Sequence, residues 1–289
     1  MLGLYVINEA DLESYGSLSM KDDMNYFGKS PQWRGAFLDR MEKLYTRDRS
    51  HVSIIMWSLG NEAGVVENFD AAYEYLSAQK SGIPVQHETC FRECSYQERG
   101  YDIVSLMYPS IEGIEDWMHC DDSRPFYLCE YCHSMGLGPG SFKEYWELIY
   151  KYEKFIGGCV WEWCDHAACH ADGKYRYTYG GDHSEYVHDG NFCCDGVMYP
   201  DRTPSTRAFE MKDTYRPVRF SLLRAEDGCV ELEAFHTRNF IDTSGDSFEY
   251  ELLQNGAVAA RGDCRLSLAP YSKSAVKLAL PLPAQGSLS

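Results

Sequence analysis

The chain has 289 residues, of which 44% are hydrophobic and 14% aromatic, which suits one large domain or a large and a small one. Its formal net charge of −17 and its pI near 4.9 argue against nucleic-acid binding, because phosphates would be repelled. No apolar run approaches the roughly 20 residues that a membrane span requires. Residues 1–7 lack a basic flank and a cleavage site, so they predict a strand rather than a signal peptide and favour a cytoplasmic protein.

Short apolar runs alternate with helical patterns along the first two thirds of the chain. The runs predict strands over residues 2–8, 52–59, 84–87, 103–108, 125–130 and 156–163. The patterns between them predict helices over residues 30–48, 67–80 and 141–152. Ser30 before a proline is typical of a helix start, and Ser141 with Glu144 is typical of a capping box. This alternation predicts an α/β domain built from βα units around a parallel sheet.

From residue 165 onward the chain has a different composition and pattern. Residues 165–205 are rich in Gly, Asp, His and Tyr, and a loop of this length is usually functional. Short strands with turn signals between them are predicted over residues 218–223, 229–235, 247–253 and 275–280. We therefore predict a first domain over residues 1–215 and a small all-β, immunoglobulin-like sandwich over residues 216–289, with a loose tail at 281–289.

Two glutamates stand where apolar runs end. Glu62 closes the run that begins at Ser53, and Glu130 closes the run that begins at Arg124. A carboxylate at the end of a buried parallel strand lies on the face where α/β barrels keep their chemistry. Two such carboxylates suit glycoside hydrolysis, one as proton donor and one as nucleophile or base. The alternative is two ordinary glutamates that cap neighbouring helices.

The twelve cysteines do not predict a disulfide framework. Cys129, Cys159 and Cys164 lie within apolar strand-like runs, where a reduced, buried thiol acts as a small hydrophobic side chain. Two groups could suggest zinc, namely His87 with Cys90 and Cys94, and Cys164, His166, Cys169 and His170. Neither group has a second matching pair, so we favour free thiols over a zinc site.

Six motifs in order along the chain resemble glycoside hydrolase family 2, in its branch of large bacterial β-galactosidases. They occupy residues 54–64, 107–108, 128–136, 157–165, 179–182 and 191–196. The resemblance extends to residue 215, and the β-rich remainder suits the sandwich domain that follows in this family. The Cys-Glu-Tyr-x-His-x-Met-Gly run that begins at Cys129 favours galactosidases over the glucuronidase and mannosidase branches.

The resemblance implies a (β/α)8 TIM barrel that is incomplete here. In the family the acid/base follows barrel strand four and the nucleophile follows strand seven. Glu62 and Glu130 are likewise three predicted strands apart, so the chain is expected to hold strands three to eight. The expected partners are N-terminal domains or strands outside this sequence, or further copies of the chain, since open sheet edges invite pairing.

The implied activity is retaining hydrolysis of terminal non-reducing β-D-galactose from β-galactosides such as lactose, by double displacement. Glu62 would be the general acid/base, with its pKa raised by burial or a nearby carboxylate, and Glu130 the nucleophile. A hydrogen bond from Tyr108 could keep Glu130 ionised. Two alternatives stay open: a non-catalytic remnant that binds sugar or partner fragments, and a family-2 hydrolase of a glucuronide or mannoside.

The resemblance also assigns substrate-binding residues. They are Asn61, Met107, Tyr108, His133, Trp161 and Asp195. Asn61 would bond the sugar 2-hydroxyl, and Trp161 would form the floor on which the sugar stacks.

Two metal ions are implied, and no organic cofactor is expected. Magnesium would use Glu13 and Glu62, but Tyr15 stands at the position of the family's histidine ligand, and a phenol is a poor magnesium ligand. Sodium would use the Phe192 carbonyl and Asp195, where asparagine is usual.

Overall fold

The computed structural model describes residues 3–64, 66–88, 100–169, 177–226 and 228–280. The chain divides into two compact units, Met1–Met211 and Lys212–Ser289. Cys90, Cys94, His170 and the predicted loose tail at 281–289 lie outside the described residues. Within the described ranges no helix is long and apolar enough to cross a membrane.

The first unit is built on six parallel strands, which correspond to the six predicted runs. They are β1 (Val6–Glu9), β2 (Ile54–Ser58), β3 (Val85–Gln86), β4 (Val104–Met107), β5 (Phe126–Tyr131) and β6 (Phe155–Val160). They pair in chain order as two separate sheets, β1-β2-β3 and β4-β5-β6, and every pairing is parallel. The carboxyl ends of the strands therefore emerge on one edge of each sheet.

The two sheets differ from the continuous set of strands three to eight that a barrel predicts. In the part of the chain that the structure describes, β3 and β4 do not pair. Because β3 has only two residues, it offers few backbone groups for a second ladder beyond the one with β2. A small cluster of Met56, Ile103 and Tyr127, with Ile7 and Cys129 against it, nevertheless joins side chains of both sheets.

Helices cover the sheets and carry most of the core. The helices are α1 (Gly16–Lys21), α2 (Arg34–Asp48), α3 (Glu67–Ala78), α4 (Ile111–Met118), α5 (Phe142–Lys151) and α6 (Thr206–Thr214). Phe37 of α2 and Phe69 of α3 are buried with Trp57 of β2, and Ile114 of α4 is buried with Leu128 of β5. The apolar stripes of α2, α3 and α5 made these helices predictable, whereas α1, α4 and α6 are short and were missed.

Two predicted helix caps do not form. Ser141 precedes α5 in a left-handed conformation with φ 67°, and its side chain caps no backbone N–H, so the capping box is wrong. Ser30 stands before a 3-10 turn, Pro31–Trp33, as predicted, but its hydroxyl donates to Gln32 Oε1 at 2.6 Å instead of capping a backbone group.

The cysteines of the described residues are all free. Cys164 is buried, as predicted, whereas Cys159 is exposed because it lies on β6, the last strand of its sheet. Cys129 is half-buried, so the prediction of buried strand cysteines holds fully for Cys164 alone and is wrong for Cys159. In the long loop, β7 (Ala168–Cys169) and β8 (Tyr177–Thr178) form a two-residue antiparallel pair.

The second unit is antiparallel. It contains β9 (Val218–Glu226), β10 (Cys229–His236), β11 (Phe248–Gln254), β12 (Ala257–Cys264) and β13 (Ser272–Ala279). Strands β9, β10 and β13 form one sheet, and β11 and β12 form a hairpin. The hairpin turn is Asn255–Gly256, with φ of 50° and 81°, as a type I′ turn requires. An all-β unit was predicted without β12, and an immunoglobulin-like arrangement stays a prediction.

Candidate active site

Glu130 lies near the end of β5 beside Tyr108, which follows β4. The Tyr108 backbone N–H donates to the Glu130 carbonyl at 3.0 Å, and the Tyr108 hydroxyl donates to Glu130 Oε2 at 2.6 Å. Tyr108 reaches this position in a left-handed conformation with φ 48°, which bulky side chains adopt rarely. The hydrogen bond proposed from the sequence is therefore present.

The environment of Glu130 opposes its ionisation. Burial raises the pKa of Glu130 to about 7, the hydrogen bond from Tyr108 acts against that rise, and the negative charges of Glu62, Glu88 and Glu9 add to it. Burial and the same pairing also raise the pKa of Tyr108, so the phenol stays the donor at neutral pH. Glu130 is thus poised between its two protonation states, rather than held ionised as expected.

Glu62 lies in the loop after β2, and its charge acts on Glu130. The backbone of Glu62 is left-handed, with φ 39°. Its N–H donates a hydrogen bond to Glu88 Oε2 at 2.9 Å. The preceding residue, Asn61, donates its N–H to the Leu12 carbonyl at 2.9 Å and forms a bridge with Glu13. Because Glu62 is the first of the charges that raise the Glu130 pKa, the two predicted catalytic carboxyls share one electrostatic environment.

A second group of side chains extends the site from Tyr108 towards β6. Asp195 is buried, and its Oδ2 accepts from the Trp161 indole N–H at 3.1 Å. His133 Nε2 lies 3.6 Å from the same Oδ2, and its ring packs edge-on against Tyr108 with centroids 5.7 Å apart. The Phe192 ring lies 5.8 Å from His133. The predicted substrate residues Trp161, Asp195 and His133 thus form one connected cluster with Tyr108 and Glu130.

Glu162 belongs to this cluster although the sequence did not single it out. Burial, followed by a hydrogen bond with Asp195 and the charge of Asp195, raises the pKa of Glu162 to about 8. A protonated Glu162 can therefore donate to Asp195, whose Oδ1 otherwise has no hydrogen-bond partner. His166 Nε2 lies 3.3 Å from Glu162 Oε2. The pairing of two carboxyls is invisible in sequence because 33 positions separate them in the printed chain.

Two further carboxyls follow strands of the first sheet and were also missed. Glu9 ends β1 and accepts from the Ser58 hydroxyl at 2.7 Å, and Glu88 follows β3 with only 2% of its surface exposed. Both charges raise the pKa of Glu130. The signal that identified Glu62 and Glu130, a carboxylate at a strand end, was present at these positions as well.

For the remaining predicted residues the structure gives their exposure and strand register. Met107 is half-buried in register with Glu130, and Trp161 keeps 38% of its surface exposed. Glu13 and Tyr15 are both exposed, Tyr15 just before α1. Among the residues that the structure describes, no three His, Cys, Asp or Glu side chains are grouped to hold a metal ion. The donors present do not complete a magnesium site, and both metals stay predictions.

Comparison with known proteins identifies relatives of the chain. The profile described as Glycosyl hydrolases family 2, TIM barrel domain, matches residues 1–220. Beta-galactosidase of Actinobacillus pleuropneumoniae is 34% identical over 96% of this chain and 30% of its own length. Beta-galactosidase of Pseudoalteromonas haloplanktis is 33% identical over 94% of this chain and 27% of its own length. The chain therefore spans under a third of these relatives.

A solved structure gives a weaker match. The FMN-binding beta-glucuronidase from Facaelibacterium prausnitzii L2-6 has a TM-score of 0.47 and 11% identity, covering 87% of this chain and 41% of that chain. A similarity at this level carries no argument about fold or substrate.

Proposed function

The chain belongs to glycosyl hydrolases family 2, and we propose from this premise that it carries the catalytic carboxyls of a retaining β-galactosidase. The proposal depends on the surroundings of Glu130. Its Oε2 accepts a hydrogen bond from the Tyr108 hydroxyl at 2.6 Å, and the negative charge of Glu62 raises its pKa. Glycoside hydrolysis requires two carboxyls, a proton donor and a nucleophile, and α/β barrels place such groups at the ends of parallel strands. The names of the relatives favour galactosides as the substrate class.

The proposed reaction has two displacements at the anomeric carbon. A Glu130 carboxylate oxygen attacks that carbon while protonated Glu62 gives its proton to the glycosidic oxygen, so that the C–O bond breaks and the alcohol leaves. Water then attacks the glycosyl ester, Glu62 takes a proton from it, and the Glu130 carboxylate leaves. Two inversions give a sugar with the anomeric configuration of the substrate.

The other side chains have proposed roles in holding the sugar. Asp195 and His133 offer polar atoms for hydroxyl groups, and the exposed part of Trp161 offers an aromatic face for an apolar sugar face. Asn61 would bond the 2-hydroxyl. We further propose a cytoplasmic setting, with the remaining parts of a longer chain or further copies as partners.

Hydrolysis of an aryl β-galactoside tests the proposal. The full chain and its Glu130→Gln variant are compared at high protein concentration, and NMR follows the first-formed anomer. We expect a β-anomer product from the parent chain and at least a roughly 10³-fold loss in the variant, since the nucleophile is removed. Glu112→Gln, a change on the exposed face of α4, is the matched control.

Two results would contradict the proposal. An α-anomer as first product would exclude double displacement, and equal turnover by the parent chain and Glu130→Gln would exclude Glu130 as nucleophile. Aryl β-glucuronides and β-mannosides, measured in the same assay, separate galactosidase activity from the other branches of the family.

A further inference from the structure

Two consecutive buried residues at the end of β3 hold the loop that carries Glu62. Glu88 Oε2 accepts the Glu62 backbone N–H at 2.9 Å. His87 Nε2 lies 2.7 Å from the Gly64 carbonyl and therefore donates to it. His87 and Glu88 expose 0% and 2% of their surface, so neither bond competes with bulk water.

The loop needs to be held because its backbone is unusual. Glu62 and Gly64 both have positive φ, 39° and 77°, a region that side chains disfavour. The Asn25 side chain fills the space where a Cβ of residue 64 would lie. His87 in turn stacks on Phe69 of α3, with ring centroids 4.0 Å apart, and Phe69 is fully buried. The contacts to the loop therefore start from the rigid core of the first sheet.

We propose that His87 and Glu88 form a positioning clamp that aims the Glu62 carboxyl for proton donation, an inference that rests on the proposed function. A general acid must lie within hydrogen-bond reach of the oxygen that it protonates. If the half-buried Glu62 loses the acceptor of its backbone N–H, the loop relaxes to pair that group elsewhere, and the carboxyl turns with it. Glu88 is thus a positioning residue, which acts through the backbone of Glu62.

The hydrogen bond and the charge of Glu88 can be separated by substitution. Glu88→Gln keeps an oxygen that accepts the Glu62 N–H but removes the charge, whereas Glu88→Leu removes both. Glu9→Gln is the charge control, because it removes another carboxylate that acts on Glu130 and leaves the Glu62–Glu88 bond in place.

Leaving-group dependence measures the consequence for proton donation. From a dinitrophenyl galactoside the leaving group departs as dinitrophenolate and needs no proton. The phenol of a phenyl galactoside and the glucose of lactose need a proton to depart. We expect Glu88→Leu to lose about 10²-fold in kcat on the poor leaving groups and under about threefold on dinitrophenyl galactoside. We expect Glu88→Gln to restore the parent pattern. A merely structural role would lower the rates on all leaving groups equally.

Amide hydrogen exchange of Glu62 tests the clamp without any turnover. In the full chain labelled with ¹⁵N-glutamate, Glu88→Leu should speed exchange of this amide at least about tenfold, and Glu88→Gln should leave it near the parent rate. If Glu88→Leu does not fold, Glu88→Ala, which leaves room for water, replaces it in both measurements.

The outcomes are distinct. Unchanged Glu62 exchange in the variant that lacks an acceptor overturns the clamp. If Glu88→Leu loses equal factors in kcat on good and poor leaving groups, the clamp's role in proton donation is overturned. The same holds if Glu88→Gln is as impaired as Glu88→Leu. A parent chain without turnover would count against the proposed function, while the exchange rates would still decide the clamp.

Discussion

At the scale of single residues, the Tyr108 hydroxyl is the contact that most directly tunes Glu130. Its hydrogen bond limits the rise that burial causes, and the resulting pKa of Glu130 is about 7. Tyr108→Phe removes that bond, so we expect the Glu130 pKa to rise further. A nucleophile must be ionised, and therefore the acidic limb of the kcat/KM profile should move to higher pH by about one unit. A pH series with an aryl galactoside measures this shift.

Tyr127→Phe is the matched control for that change. The Tyr127 hydroxyl lies 2.7 Å from Cys159 Sγ, so its loss removes a phenol from the same strand as Glu130 without removing the bond to Glu130. The acidic limb should stay where it is in this variant. A Tyr108→Phe profile that coincides with the parent profile would disprove the role given to Tyr108.

The raised pKa of Glu130 also predicts a pH-dependent cost in stability. The pKa is about 7 in the folded chain against the usual 4.5 of a glutamate, so folding binds protons and stability falls as pH rises through this window. Allowing for partial exposure, the ionised carboxyl costs about 1–2 kcal/mol at pH 8. Glu130→Gln should therefore melt a few degrees above the parent chain at about pH 8 and close to it at about pH 5.

Thermal melts followed by circular dichroism at both pH values check this prediction. Tyr108→Phe, measured in parallel, should show the opposite trend, because it leaves the carboxyl with less stabilisation of its charge. A Glu130→Gln variant that is destabilised equally at both pH values would contradict the assignment of a costly charge to Glu130.

At the scale of elements, the loop between β2 and α3 depends on a glycine. Gly64 has φ 77°, and a Cβ there would overlap the Asn25 side chain. Gly82 has a similar φ of 74°, but a Cβ there meets no atom within 4 Å. Gly82→Ala should therefore report the backbone strain alone, about 1 kcal/mol. Gly64→Ala adds overpacking to the strain and should cost about 2–4 kcal/mol.

Urea unfolding of both variants gives the comparison. The free energy of unfolding should fall further for Gly64→Ala, with an unchanged dependence on urea concentration. If both variants lose the same free energy of unfolding, the Asn25 side chain moves aside at little cost and the loop is more flexible than its contacts suggest.

Individual elements show where the sequence was informative. The runs that became β2, β5 and β6 were recognisable because consecutive apolar residues are typical of strands buried on both faces. Burial on both faces is nevertheless incomplete, since Ile55 of β2 and Ile156 of β6 are exposed. The prediction at Ser141 failed because its spacing to Glu144 matches a capping box, whereas the residue is left-handed and its side chain caps no backbone N–H. Backbone conformation of this kind depends on tertiary contacts that residue spacing does not encode.

Two signals in the sequence pointed to the site. The family resemblance proposed His133, Trp161 and Asp195, which the structure brings together. A carboxylate at a strand end proposed Glu62 and Glu130, and the same rule, applied to β1 and β3, would have proposed Glu9 and Glu88. Glu162, two residues after β6, meets the same rule, but its hydrogen bond with Asp195 from a distant part of the chain could not be read from the sequence. Pairing between loops without periodicity is set by the fold and leaves no local signal.

At the scale of the whole molecule, pairing between sheets was the least predictable feature. The order of strands and helices implied a barrel segment, but it could not indicate that β3 would be only two residues long. The alternation of β9 to β13 predicted an antiparallel unit, and local patterns do not determine how such strands divide between sheets. Long-range hydrogen-bond partners decide both matters.

The two compact units have core clusters of their own, which predicts separate unfolding transitions. Leu128 of β5 is fully buried in the first unit, and Leu252 of β11 is buried in the second. Leu→Ala at a buried site costs about 2–5 kcal/mol. In calorimetry of the full chain, Leu128→Ala should lower one transition and Leu252→Ala the other. A single transition that both substitutions lower would show instead that the two cores unfold as one cooperative unit.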